Sequence, residues 1–265
     1  MSEITLLITS SSSNNSVTTL ARDGNDIELS FTSSVSISVP TVEFTIDGNT
    51  YTPSISSQND AGLIWTCSYT VTSSTVDGLV SYTISEIENT NSTITGSDVT
   101  GDTVVTVDNT APTLDSVLIA SNNSNDTTLA KEGNVVTLTF IASETIQTPT
   151  VTFTSGGAGV AVTDIVPNNT SGDTWTAAYT VDSGDTDGVI GFTIEFTDEV
   201  GNAGTSVSDV TDENYSVTVD NTDPELANTL TTLSAISIAS DNATDTIASI
   251  GNNITLTFTA SESIQ

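Results

Sequence analysis

The residues that could do chemistry in this chain are oxygen donors. Asp108 and Asn109 stand together, Glu144 follows 36 positions after Asp108, and Asp198 lies close to Asn202. Carboxylate and amide oxygens are the ligands a hard cation such as Ca2+ collects, about six to eight at a time. These residues are far apart in sequence, so they act together only if a fold gathers them. Other chemistries are poorly supplied. With no His there is no imidazole base. Ser and Thr make up about a third of the chain, but a hydroxyl needs a base to become a nucleophile. A carboxylate pair can hydrolyse glycosides. No such pair stands out, and the aromatic residues that line sugar clefts are only 5% of the sequence. The chain reads as a non-enzyme.

Charge narrows the partners. There are 34 acidic residues against two basic ones, a net charge of −32. Such a surface repels nucleic-acid phosphates and anionic membranes. It invites cations or a saline medium that screens its self-repulsion. No apolar run approaches the ~18–20 residues of a membrane-spanning helix, so membrane insertion is not expected. Met1-Ser2-Glu3-Ile4 lacks the basic start of a secretory signal. Two expectations fit this: the chain is a piece of something longer, or it is exported or assembled without such a signal.

An internal repeat of roughly 110 residues must position the donors. Leu20-Ala21-Arg22-Asp23-Gly24-Asn25 matches Leu129-Ala130-Lys131-Glu132-Gly133-Asn134, so the only two cations share one slot. Trp65 through Val71 matches Trp175 through Val181, and Asp77-Gly78 matches Asp187-Gly188. Val105 through Thr110 matches Val217 through Thr222. The expected domains are residues 1–110 and 111–222, then a linker with an insertion at 223–235. An incomplete third copy, its first two strands, follows at 236–265. An isolated two-stranded hairpin cannot bury an apolar face. Either the array is truncated there, or a neighbouring chain completes the domain by strand addition.

Alternating Val, Ile, Leu and Phe mark strands rather than disorder. The second copy reads as seven strands at 114–120 (A), 134–142 (B), 149–155 (C), 159–166 (D), 174–182 (E), 189–197 (F) and 214–220 (G). The fold class is all-β: tandem seven-stranded immunoglobulin-like Greek-key β-sandwiches. Trp65, Cys67, Tyr69 and Val71 share a face of strand E, and Cys67 stands where the second copy has Ala177, as a small buried hydrophobe. Tyr82 and Phe192 follow Asp-Gly as at the E–F corner of immunoglobulin domains, and are expected in the core.

In such a sandwich strand A starts at the pole where the B–C, D–E and F–G loops gather. For the second copy that pole collects Asp108 and Asn109 from the linker, Glu144 from B–C, and Asp198 and Asn202 from F–G. Asp173, closing D–E, is also within reach. Converging acids repel unless a cation sits among them. The first copy has Val35 in place of Glu144 and Glu88-Asn89-Thr90-Asn91-Ser92 in place of Asp198–Asn202, and no site is expected there.

These residues also carry a family resemblance. Val107-Asp108-Asn109-Thr110-Ala111-Pro112 resembles the boundary signature of bacterial Ig-like repeats in giant surface adhesins. Thr139–Glu144 and Asp198-x-x-Gly201-Asn202 resemble that family's B–C and F–G motifs. The resemblance implies a rod of a large extracellular or cell-surface protein whose junctions Ca2+ stiffens, with Asp108, Glu144, Asp198 and Asn202 as ligands. It extends to phage fibres and to surface-layer and filament proteins. A homopolymeric filament, surface layer or virion-surface fibre therefore stands beside the rod, and a glycan- or protein-binding module acting through loop tips is the third reading. Expected partners are neighbouring repeats, copies of the same chain, or an unidentified surface receptor.

Overall fold

A computed structural model describes residues 4–58, 63–89, 98–160, 167–212, 215–225 and 236–261. The first repeat contains β1 (Leu6–Ser13), β2 (Leu20–Ala21), β3 (Asp26–Ser33), β4 (Thr41–Ile46), β5 (Asn49–Tyr51), β6 (Ser54–Ser57), β7 (Ile64–Thr70), β8 (Gly78–Ser85) and β9 (Val99–Val107). One sheet has the order β1-β3-β7-β6, the other β2-β9-β8-β4-β5. The second repeat repeats this with β10 (Leu114–Ser121), β11 (Leu129–Ala130), β12 (Val135–Ala142), β13 (Thr150–Ser155), β14 (Ala158–Gly159), β15 (Asn168–Ser171), β16 (Thr174–Thr180), β17 (Gly188–Glu195) and β18 (Thr218–Val219). Its sheets run β10-β12-β16-β15 and β11-β18-β17-β13-β14. In immunoglobulin terms these are A-B-E-D and A′-G-F-C-C′, and the chain is all-β, a tandem of Ig-like sandwiches.

Two features were not legible in the strand pattern. The first strand of each repeat crosses between sheets, so β2 and β11 pair in parallel with β9 and β18. In the second repeat β15, beside β16, holds the place of strand D, later in the chain than the 159–166 expected for it. Residues 158–159 instead form the C′ strand β14, and 161–166 lie outside the described residues. Alternation fails there because β14 and β15 are exposed edge strands with no buried side to mark.

Period-two alternation builds each core. Ile27, Leu29 and Phe31 of β3 are fully buried, as are Val136, Leu138 and Phe140 of β12. Trp65 pairs across the sheet with Phe31, and Trp175 with Phe140. Tyr82 and Phe192 are buried beside Phe44 and Phe153. Cys67 is buried between Leu29 and Ile55, and burial pushes its thiol up to about 12, which keeps it an inert hydrophobe. The two buried clusters share no residue, so each repeat carries its own core.

The third copy contributes β19 (Ile236–Ser240) and β20 (Ile254–Phe258), an antiparallel pair. Its apolar positions follow those of β10 and β12, yet Ile238, Leu256 and Phe258 are exposed at 71%, 58% and 46%. Most of the linker expected at 223–235, and Glu262 of the third copy, lie outside the described residues.

Candidate metal centre

At the first junction, hydrogen bonds hold the start of the second repeat to its B–C loop. The amide of Thr113 donates to Ser143 Oγ and the amide of Ser143 to Thr113 O, each at 2.9 Å. This ties the linker to the B–C loop and brings Glu144 beside Asp108. The amide of Ala142 donates to Asp173 O at 3.0 Å, which draws the end of D–E to the same place.

Asp198 organises the F–G turn. Its Oδ1 accepts from the amides of Gly201 (2.6 Å) and Asn202 (2.8 Å), and its Oδ2 from Asn202 Nδ2 (2.8 Å). Asp198 is 1% exposed and sits on the floor of the pole. Gly201 has φ +102°, a left-handed conformation that L side chains rarely adopt.

Carboxylate oxygens of Asp108, Glu144 and Asp198 all lie within 4.8 Å of one another. Calcium–oxygen distances are about 2.3–2.6 Å, so two ligands on opposite sides of one ion are about 5 Å apart. The trio fits within that span. Burial, then the charges of Asp108, Asp198, Asp77 and Asp173, raises the Glu144 carboxyl above its ordinary value. Asp108 is raised first by burial and further by Asp198 and Asp77, against a lowering hydrogen bond from the Thr110 amide. Both shifts show charge gathered where protons, or a cation, are favoured.

The amides behave differently from the acids. Asn202 Nδ2 also donates across the junction, to Asp108 O at 2.9 Å and Thr110 O at 3.3 Å. Asn202 thus holds the turn against the linker. The Asn109 side chain turns into the first domain. Its Nδ2 donates to Thr72 O and Thr75 O, and its Oδ1 accepts from the Asp23 amide at 2.7 Å. The sequence position next to Asp108 suggested a ligand. Consecutive residues of an extended linker point to opposite sides, and here that makes Asn109 a clasp.

Asp77 was missed as part of this site. Its Oδ1 accepts from the Asn109 amide at 2.6 Å and its Oδ2 from Thr110 Oγ1 at 2.5 Å. The signal was available: Asp187 stands in the same slot and binds the Asn221 amide and Thr222 Oγ1 at 2.7 and 2.6 Å.

No family model and no curated protein matches the chain. Among solved structures it is similar to an I-band fragment of titin, at 12% identity and a TM-score of 0.44, covering 84% of this chain and 67% of that one. It is also similar to a titin Ig tandem pair (12%, TM-score 0.29, 84% and 100% covered). The ectodomain of mouse nectin-like molecule 4 gives 18%, a TM-score of 0.30, and 77% and 65% covered. The fold assignment rests on the strand order, not on these distant likenesses.

Proposed function

We propose that this chain is a structural spacer, a run of Ig-like repeats in a large extracellular cell-surface or virion-surface protein, whose first junction is stiffened by Ca2+. The observation that carries the reading is the convergence of Asp108, Glu144 and Asp198, from linker, B–C loop and F–G turn, within 4.8 Å. A cation shared by the linker and two loops of the next domain restrains the hinge between domains. Asp108, Glu144 and Asp198 would supply carboxylate oxygens. Asn202 would hold Asp108 in place through its backbone, and neighbouring carbonyls and water would complete the shell.

The test is small-angle scattering and calorimetry of the full chain, with Ca2+ and with chelator at matched ionic strength. Ca2+ should lengthen the particle and raise the melting temperature beyond what the same ionic strength of NaCl achieves. Superimposable curves would sink the reading.

A second reading has its own observation, the exposed apolar side of β19–β20. Strand addition by another chain would bury it and produce a filament, surface layer or fibre. Concentration-dependent polymers in sedimentation, lost on Leu256→Asp, would favour assembly; monodisperse rods count against it.

A further inference from the structure

The two repeats end in the same way, and among the described residues only the first end is covered. The Asp198–Asn202 turn packs on a surface formed by Asn15, Arg22, Asp108 and Thr110. Asn15 Nδ2 donates to Val200 O at 3.0 Å, and Asn15 and Val200 are 9% and 6% exposed. Asn202 Nδ2 reaches Asp108 O and Thr110 O. Gly201 lies under the guanidinium of Arg22, close enough that a Cβ would stand 3.4–3.5 Å from three of its atoms.

The equivalent surface of the second repeat is a groove of about 470 Å³ whose lining includes Asn123, Leu129, Lys131, Asp220, Thr222 and Pro224. Among the described residues, those that line it belong to the second repeat and its linker. Its walls already have the covered geometry. Thr222 N donates to Asp220 Oδ1 at 3.1 Å, as Thr110 N does to Asp108 Oδ1 at 3.0 Å. Glu132 N donates to Asn221 Oδ1 at 2.7 Å, matching Asp23 N and Asn109. Asn221 Nδ2 caps Asp182 O and Asp185 O as Asn109 Nδ2 caps Thr72 O and Thr75 O. A preformed groove loses little conformational entropy when it is filled.

We propose that this groove is the docking site for the F–G turn of a following Ig-like repeat, recognised through an Asp-x-x-Gly-Asn turn like the one that closes the first junction. The β19–β20 pair says which side the partner comes from. Glu225 N donates to Ser261 Oγ at 3.0 Å and Ser261 N to Glu225 O at 2.8 Å, repeating the Thr113–Ser143 pairing that seats the second repeat. The asparagine amide of the incoming turn would meet Asp220 O and Thr222 O. The groove asparagine Asn123 would donate to the carbonyl preceding the turn glycine, and Lys131 would lie over that glycine. The interface is directional: a repeat offers its turn at one pole and its groove at the other. The first repeat has the groove, but its F–G segment reads Glu88-Asn89-Thr90-Asn91-Ser92 rather than Asp-x-x-Gly-Asn.

The contacts are hydrogen bonds from side-chain amides and packing, so the proposal stands apart from the cation reading, and chelator in the test keeps the two separable. The isotope-labelled full chain is titrated in chelator with a head-to-tail cyclised peptide of residues 197–203. Saturable shifts are expected at Asn123, Lys131 and Thr222 and not at Asn15, whose groove is filled. A peptide carrying Asn202→Ala should bind about tenfold more weakly, the loss expected for about 1.4 kcal/mol of hydrogen bonding. Asn123→Asp in the chain, which keeps the Oδ1 acceptor of the Asn125 amide (3.0 Å) and removes the Nδ2 donor, should weaken the parent peptide while the melting temperature of the second domain holds. Equal binding of both peptides, shifts scattered over the acidic surface, or no shift up to millimolar peptide would overturn the proposal.

Discussion

At residues 108–110 the Asp-Asn-Thr segment is overlaid by the turn of the next domain; at 220–222 the same three residues border an open groove. Beneath, the clasps use matching partners: Asn109 and Asn221 each join the linker to their own domain's E–F loop, and Asp77 and Asp187 receive the same two donors, at 2.6 and 2.5 Å against 2.7 and 2.6 Å. What differs is the other side of the linker. Asp108 faces Glu144 and Asp198, and no such trio forms at Asp220 among the described residues. The comparison separates two jobs that adjoining residues perform. The clasp finishes a domain and needs nothing beyond it. The acid cluster, among the described residues, stands at the junction where the second domain arrives.

Asp198→Ala should break the first junction hardest. Three donors inside the turn lose a buried acceptor, and the second domain should lose about 2–4 kcal/mol in urea unfolding. The same variant should abolish any Ca2+ response, and a loss under about 0.5 kcal/mol would mean that the turn is not held by this carboxylate. Asn202→Ala is milder. It removes the bonds to Asp108 and Thr110, about 1–2 kcal/mol of coupling, so the two domains should unfold in more widely separated calorimetric transitions. Asn109→Ala and Asn221→Ala should cost their own domains similar amounts, about 1–2 kcal/mol each, because the bonds lost are the same. Asn109→Ala should also leave the Ca2+ response intact; its disappearance would make Asn109 a ligand after all.

The smallest effect is one of pH, with opposite signs at the two junctions. Hydrogen bonds from Thr222 and Asn221 hold the Asp187 carboxyl below its ordinary value. Its contribution is present above the unfolded carboxylate pKa and is lost as pH falls through the lowered one. Asp108 and Glu144 are raised, mainly by burial. In chelator their cost appears as pH climbs from the ordinary carboxylate range through the raised values, and stability falls there. Carboxyl NMR titration should show Asp187 ionising before Asp108 and Glu144, and Ca2+ should drive the latter two toward ionisation at lower pH. A shared midpoint would erase the distinction between the junctions.

Phe31, Phe140, Trp65 and Trp175 were legible as core because alternation and the repeat place each twice, in phase with its neighbours. Cys67 was legible for the same reason, since Ala177 occupies its place. Asp108, Glu144 and Asp198 were legible once the order of loops around a sandwich was granted. Strand D at Asn168–Ser171 was not, because an exposed edge strand has no buried side for the sequence to mark. The role of Asn109 was not either, because adjacency in sequence does not say to which side of a linker a side chain turns. The sequence by itself determined the all-β class, the period of the array and the residues able to meet at a pole, since these follow from alternation and recurrence along one dimension. Only the tertiary structure decided which of them meet, that Asp77 joins Asp108 from the domain before, and that Asn109 faces away, because those outcomes depend on side-chain direction across a junction of two domains.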